Sequence, residues 1–157
     1  MTDTRPLPTV IGSTENALRA LLVETLSTTA IPTYEAWVAL NSAASAGVVT
    51  DAAAWRAAVA DVLAKPVSVV DGAVALLERG GLVSPDGSLT DRGTAELASA
   101  RGAVREATAP LLSGVAGADL QATLRVLDGV RQSAERGLRA ARDARTRGAS
   151  GVGATLS

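Results

Sequence analysis

The fold is decided by the stretch Val59-Ala-Asp-Val-Leu-Ala-Lys-Pro-Val-Ser-Val-Val-Asp-Gly-Ala-Val-Ala-Leu-Leu-Glu-Arg-Gly-Gly-Leu-Val83. The pair Lys65-Pro66 ends a short apolar helix, because proline disfavours helix at the residue before it. Apolar residues then recur at helical spacing and predict a second helix over about 68–79. Gly80-Gly81 stops that helix. The stretch therefore predicts two helices joined by a tight turn.

A strand-like signal follows this stretch directly. Two three-residue segments, 82–84 and 88–90, flank the turn Pro85-Asp86-Gly87. Proline, aspartate and glycine are favoured in tight turns, so the pattern predicts a minimal β-hairpin. We find no other strand signal in the sequence, which predicts a mostly α protein.

Three helices are predicted before the hairpin in addition to the one over 68–79. They begin at Ser13, at Thr33 and at either Thr50 or Asp51, because these residue types are favoured N-caps. Gly47 ends the second of them.

Two long helices are predicted after the hairpin. The first extends from Thr90 to about Ser113, with Pro110 as a kink or an end. Its predicted inward-facing residues are Leu97, Val104, Leu111 and Leu112. The last helix extends from about 118 to 147 and carries a heptad seam, with spacings of four and three. The seam consists of Leu120, Leu124, Leu127, Arg131, Ala134, Leu138 and Ala141.

The two ends of the chain are predicted to lack fixed structure. Residues 1–12 contain Pro6 and Pro8 and are predicted to form a flexible arm. The tail over 148–157 is rich in Gly, Ser and Ala and is predicted to be disordered. We expect a single domain over 13–147, because no internal repeat or long linker divides it.

The composition argues against an enzyme. The 157 residues include no His and no Cys, which excludes thiol nucleophiles, imidazole bases, disulfides and the usual zinc ligands. Carboxylates are scattered singly, and no glycine-rich loop precedes a helix as phosphate binding requires. We therefore predict a non-enzyme without a metal or other cofactor. The sequence has no long apolar run and no signal peptide, so we expect a cytoplasmic protein without a membrane partner.

The order of elements resembles the winged helix-turn-helix of the MarR family of bacterial transcription regulators. The resemblance is carried by Leu77-Glu78-Arg79-Gly80-Gly81-Leu82-Val83, which leads into the hairpin. Leu89-Thr90-Asp91-Arg92-Gly93 then is similar to the family's Leu-Thr-x-x-Gly after the wing. With the flanking helices, the resemblance covers about 13–147.

This resemblance implies a mostly α fold in which a winged helix-turn-helix lobe with a short β-hairpin wing is flanked by long dimerisation helices. It implies a DNA-binding lobe over 33–93 and dimerisation helices over 13–30 and 94–147. It further implies a homodimer, a recognition helix for the major groove of double-stranded DNA and a small-molecule pocket between the lobes. Packing within one chain is the alternative interpretation of the heptad seam.

Four residues are candidates for DNA binding by their place in this pattern. Lys65 lies at the turn, and Ser68 lies where a hydroxyl and free N–H groups meet a phosphate. Arg79 and Arg92 bracket the hairpin. Simple N-capping is the alternative role for Ser68, and ion pairing with Glu78 or Glu96 is the alternative for the arginines.

The charges depart from the family pattern. Between Asp61 and Glu96 there are three basic and six acidic residues, a net charge of −3 where DNA binding favours positive charge. The predicted recognition helix has no Asn or Gln and no Arg before Arg79, and the hairpin turn has no Arg. Seven Arg against three acidic residues give +4 over 125–147. That charge indicates either a solvated helix face or a basic flank for phosphate or an acidic partner.

The aromatic residues are candidates for an effector pocket. Tyr34 and Trp37 share one face of the second predicted helix, and Trp55 is the third aromatic residue of the chain. Flat aromatic walls suit a small apolar or aromatic effector, and Arg101 is placed to meet an anionic group. Core packing is the alternative role for the tryptophans.

The sequence thus favours a ligand-responsive, DNA-binding transcriptional regulator that acts as a homodimer. The acidic lobe supports an alternative, in which a dimeric winged-helix module binds small molecules or proteins and binds DNA weakly or not at all.

Overall fold

The computed structural model of the chain describes residues 5–151, which are mostly helical. Six α-helices are present in this range: α1 (Leu7–Leu26), α2 (Tyr34–Ala46), α3 (Ala52–Leu63), α4 (Val67–Arg79), α5 (Asp91–Thr108) and α6 (Gly117–Gly151). A short 3₁₀ helix, Ala109–Leu112, follows α5. The predicted mostly α class and the order of the helices are confirmed.

The chain divides into two compact units, Met1–Leu111 and Leu112–Ser157. Pro110 lacks an N–H group, and α5 passes at Ala109 into the 3₁₀ helix instead of continuing to Ser113. Leu111 and Leu112, predicted to face inward, are 50% and 54% exposed. The inward assignment of these two residues is therefore wrong.

The first helix begins earlier than predicted. Pro6 occupies the N-cap position and α1 starts at Leu7, six residues before Ser13. Proline suits the first turn of a helix, where its missing N–H would have no partner. Ser13 instead donates to the Val10 carbonyl within the helix at 3.0 Å. Of the predicted arm, residues 7–12 are thus helical and 1–4 lie outside the described residues.

The last helix continues beyond its predicted end. It reaches Gly151, so residues 148–151 of the predicted tail are helical in backbone. The rest of the tail, 152–157, lies outside the described residues.

The core lies in the first unit and contains almost no aromatic side chain. Its largest fully buried side chains belong to α1, α2, α3, α4, the segment before α2 and the segment after α4: Leu26, Ile31, Leu40, Val59, Val70, Val74, Leu77 and Leu82. Trp55, buried at its edge, is the exception. Small and branched side chains allow α2 and α3 to pack closely against α4.

Thr33 and Asp51 are N-caps as predicted, and Thr90, the predicted start of a helix, is the N-cap of α5. The Thr33 hydroxyl accepts from the Ala36 N–H, the Asp51 carboxylate from two N–H groups of α3, and the Thr90 hydroxyl from the Gly93 N–H. Each side chain satisfies N–H groups that have no partner within the helix. Gly47 ends α2, as predicted, with φ of 69°.

The predicted β-hairpin is not confirmed as a pair of strands. Within residues 5–151 its two segments share a single antiparallel bridge between Val83 and Leu89. The tight turn is present, because the Ser84 N–H donates to the Ser88 carbonyl at 2.9 Å and Gly87 has φ of 89°. The second segment is drawn towards α4, since the Thr90 hydroxyl donates to the Gly81 carbonyl at 2.7 Å. The wing is therefore a tight loop.

Gly93 explains why glycine stands in the Leu-Thr-x-x-Gly pattern. The first turn of α5 packs directly on the backbone of Leu82, so that a Cβ atom on Gly93 would lie 1.9 Å from the Leu82 carbonyl oxygen. This contact needs a residue without a side chain.

Candidate nucleic-acid interface

The two helices of the predicted helix-turn-helix, α3 and α4, are joined by a three-residue turn. Ala64 adopts the left-handed conformation, with φ of 51° and ψ of 40°. The Lys65 N–H donates to the Ala60 carbonyl at 3.0 Å, which closes the end of α3. Pro66 then caps α4 without a side-chain hydrogen bond. Ser68 lies in the first turn of α4 and is not its N-cap, so the capping alternative is wrong.

One side of α4 is buried and the other is open. Val70, Ala73, Val74 and Leu77 pack into the core. Ser68, Gly72 and Arg79 are exposed on the opposite side. The described part of the chain therefore leaves the outward side of α4 uncovered.

An arginine that the sequence reasoning missed connects α3 to α4. Arg56 lies 3.7 Å from Asp71 (Nε to Oδ1) and 3.5 Å from Glu78 (Nη2 to Oε1). Its Nε is buried without a hydrogen-bond partner. Asp71 and Glu78 are two helical turns apart, so they share a face of α4, and that spacing is the sequence signal for a basic partner. Arg56 offsets part of the acidic charge of α4.

Lys65, the only lysine of the chain, forms an ion pair with a residue of α2. Its Nζ donates to Glu35 Oε1 at 2.6 Å. This hydrogen bond holds the pKa of the Glu35 carboxyl below its usual range. A DNA phosphate would have to compete with Glu35 for the lysine.

Arg79 and Arg92 are both exposed. Arg79 lies at the end of α4, where Glu78 pairs with Arg56. It lines a surface groove of about 380 Å³ between α4 and the start of α2, together with Thr33, Glu35, Val69, Gly72, Ala73 and Leu76. Arg92 lies in the first turn of α5, and its guanidinium approaches Gly81. These two side chains are exposed positive charges next to α4 and the wing loop.

The candidate effector residues fall into two groups. Tyr34 stacks with Arg19, whose guanidinium carbon is 5.0 Å from the ring centre. Trp37 is half-buried against the core, and its carbonyl accepts from Asn41 Nδ2 at 2.9 Å. Arg101 donates twice to Asn41 Oδ1, at 3.0 and 2.7 Å. Asn41 therefore links Trp37 to Arg101 across α2 and α5.

Trp55 lies near the other end of α2. It is buried, and its Nε1 donates to Ser42 Oγ at 3.1 Å. Ser42 is eight residues beyond Tyr34, about 12 Å along the helix. Trp55 lines a different surface groove of about 460 Å³ with the loop between α2 and α3. The structure thus separates Trp55 from the aromatic residues at the start of α2.

The second unit carries an exposed apolar seam beside its charges. Leu124, Leu127 and Leu138 of the predicted heptad seam are between 42% and 52% exposed. Arg131, in the same seam, pairs with Asp128 and Glu135 at 2.6 Å each. These hydrogen bonds lower the pKa of Asp128 and raise that of Arg131.

Residues 5–151 contain neither a membrane-spanning helix nor a metal-binding cluster. No helix in that range is both long and apolar enough to cross a membrane. The same residues contain no cluster of three acidic side chains placed to hold a metal ion.

Comparison with known proteins defines the fold. No protein-family model and no curated protein matches the sequence. A solved MarR-family protein of Mycobacterium tuberculosis in complex with DNA is 23% identical, with a TM-score of 0.66 over 80% of this chain and 98% of that one. A MarR-family protein of the same organism in complex with salicylic acid is 22% identical, with a TM-score of 0.64 over 80% of this chain and 98% of that one. MarR of Escherichia coli in its reduced form is 22% identical, with a TM-score of 0.66 over 82% of this chain and 95% of that one. The chain has the fold of MarR-family regulators, as the sequence predicted.

Proposed function

We propose that the protein is a ligand-responsive, DNA-binding transcriptional regulator that acts as a homodimer. The observation that carries the proposal is the open side of α4, which begins at a helix-turn-helix turn and ends at the exposed Arg79. The fold supports it, because a protein of this fold has been solved in complex with DNA. In such an arrangement α4 enters the major groove.

Four residues would contact DNA in this proposal. Arg79 and Arg92 are exposed and are assigned to backbone phosphates. Ser68, exposed in the first turn of α4, offers a hydroxyl beside N–H groups that favour an anion. Lys65 contributes when its ammonium exchanges Glu35 for a phosphate.

Dimerisation is assigned to segments 13–30 and 94–147. The exposed leucines of α6 support the assignment, because monomeric proteins rarely expose a long apolar stripe. A second copy of the chain would cover this seam. The dimer would set two α4 helices against half-sites about one DNA turn apart.

The effector is proposed to be a small apolar or aromatic molecule near the start of α2. Tyr34 and Trp37 supply two flat walls there, and Arg101, held by Asn41 two helical turns beyond Tyr34, supplies a cation. Trp55 is retained as a second candidate contact in the groove at the far end of α2. An effector that favours one spacing of the two α4 helices would change DNA affinity, and DNA would change effector affinity by the same factor.

A fluorescence anisotropy titration tests DNA binding. The probes are a labelled duplex from the region upstream of the protein's own gene and a pool of randomised duplexes. We expect Arg79→Ala and Arg92→Ala each to weaken binding, because each removes a phosphate contact. Arg5→Ala removes the same charge outside the segments assigned to DNA binding and to dimerisation and serves as the matched control. Binding of every duplex no tighter than about micromolar, the range of non-specific binding, would contradict the proposal.

The alternative is a dimeric winged-helix module that binds a small molecule or a protein. The engagement of Lys65 by Glu35 and the net charge of −3 over 61–96 favour it. The same titration separates the two functions, because the module would bind every duplex weakly or not at all.

A further inference from the structure

The outward side of α4 presents very few hydrogen-bonding groups. Its residues recur at spacings of three and four and so share one face: Ser68, Gly72, Ala75 and Arg79. Val69 and Leu76 border this face and are each 37% exposed. The face offers one hydroxyl, one guanidinium in its last turn and otherwise methyl groups.

The acidic residues of α4 lie away from this face. Asp71 and Glu78, the two carboxylates of the helix, both pair with Arg56 of α3. Arg56 partly offsets their charges on the side of α4 that faces α3. Val69 and Leu76 lie on the other side of the face, towards α2.

These side chains limit the bases that α4 can recognise. In the major groove, guanine is read by two donors of an Arg or Lys, and adenine by the amide of an Asn or Gln. Apart from Arg79, α4 has none of these residues. Thymine differs from the other bases by a C5-methyl group, which is recognised by apolar contact.

The spacing fits contacts with successive base pairs. Val69 and Leu76 are seven residues apart, about 10 Å along the helix. That distance corresponds to about three base pairs at 3.4 Å each. Gly72 lies between them and has open space where a side chain would be, so the helix backbone can approach the bases closely.

We propose that α4 recognises its DNA site through thymine methyl groups, which Val69 and Leu76 contact. The inference rests on the proposed function, because it requires that the protein bind DNA. It specifies half-sites in which A·T pairs occupy the positions beneath these two side chains.

Substitution of deoxyuridine for thymidine tests the proposal. The full chain selects duplexes from a randomised pool, and the tightest duplex is resynthesised with one thymidine replaced at a time. Deoxyuridine pairs with adenine as thymidine does and lacks only the C5-methyl group. We expect about a fourfold loss of affinity for each contacted methyl group that is removed.

Two variants assign the contacts to their side chains. Val69→Ala and Leu76→Ala should each abolish the difference between thymidine and deoxyuridine at one position of the half-site. Val62→Ala is the matched control, because Val62 is 76% exposed and lies on α3 rather than on α4. It should keep every thymidine effect.

The outcomes separate this inference from the proposed function. A selected duplex that binds equally well after every deoxyuridine substitution overturns recognition through thymine while DNA binding stands. A guanine dependence that disappears in Arg79→Ala overturns it as well. If no duplex is selected, the proposed function fails and the inference fails with it.

Discussion

Lys65 Nζ and Glu35 Oε1 lie 2.6 Å apart and join the turn of the helix-turn-helix to the first turn of α2. The pair occupies the one ammonium group that the sequence places beside α4. Lys65 is a candidate phosphate contact by its place in the sequence, and in the structure a phosphate would have to displace Glu35 from it. The engaged lysine also gives α2 a fixed position at the start of α4.

Removal of the Glu35 carboxylate should strengthen DNA binding. In Glu35→Gln the ammonium of Lys65 is released, and we expect the slope of log affinity against log salt to steepen by about 0.9 for each protomer. Anisotropy titrations at several salt concentrations measure this slope. Glu106→Gln, which removes a carboxylate from α5, is the control. An unchanged slope in Glu35→Gln would mean that Lys65 does not reach phosphate.

The same pair predicts a dependence of stability on pH. The pKa of Glu35 is lower in the folded protein than in the unfolded chain, so its stabilising effect is complete above the unfolded value of about 4.3. It is lost as the pH falls through the folded value. Chemical denaturation should show wild type more stable than Glu35→Gln by up to about 1 kcal/mol at neutral pH, and the gap should close in acid.

A double-mutant cycle supplies the control for this pH effect. In a Lys65→Met background the main cause of the lowered pKa is absent. Glu35→Gln should then change stability by a smaller amount at neutral pH. If Glu35→Gln lowers the free energy of unfolding by the same amount in both backgrounds, the pH dependence comes from the N-terminal dipole of α2 instead.

Two glycines of α5 should respond to alanine in opposite directions. Gly93→Ala should lower the free energy of unfolding by about 3 kcal/mol or more, because the new Cβ would overlap the Leu82 carbonyl. Gly102 has open space at the same atom, so Gly102→Ala should raise stability by about 0.5–1 kcal/mol. Thermal or urea denaturation compares the two. Tolerance of Gly93→Ala would contradict the packing of α5 on the wing loop.

The two tryptophans allow the effector site to be located. Trp55→Phe and Trp37→Phe each leave a single tryptophan as a fluorescent reporter. With benzoate as the probe, we expect the emission of the Trp37 reporter to change, because Trp37 shares a face of α2 with Asn41, which holds Arg101. The Trp55 reporter should be unaffected. A response of Trp55 alone would move the site to the groove at the far end of α2.

Local signals in the sequence predicted much of the fold. Thr33, Asp51 and Thr90 cap helices where their residue types indicated, since a cap depends on atoms three residues away. The start of α1 was missed because proline was interpreted as a breaker rather than as a first-turn residue. The prediction that Leu111 and Leu112 face inward was wrong because the helical period does not continue through Pro110.

The candidate site was harder to predict, because its contacts connect distant parts of the chain. The partner of Lys65 is 30 residues away, and that of Arg101 is 60 residues away. Arg56 was overlooked because its two acidic partners belong to the next helix. Separation of Trp55 from Tyr34 likewise depends on tertiary packing. Residue types indicated the chemistry of the site, and the fold decided which of the charges remain available.

The salt dependence of DNA affinity tests the central claim, that the protein binds DNA through the exposed arginines beside α4. If Arg79 and Arg92 of both protomers each contact a phosphate, a plot of log affinity against log salt should have a slope of about −4. Arg79→Ala should reduce that slope by about two in the dimer. A slope near zero, or the same slope in wild type and in both arginine variants, would contradict the account.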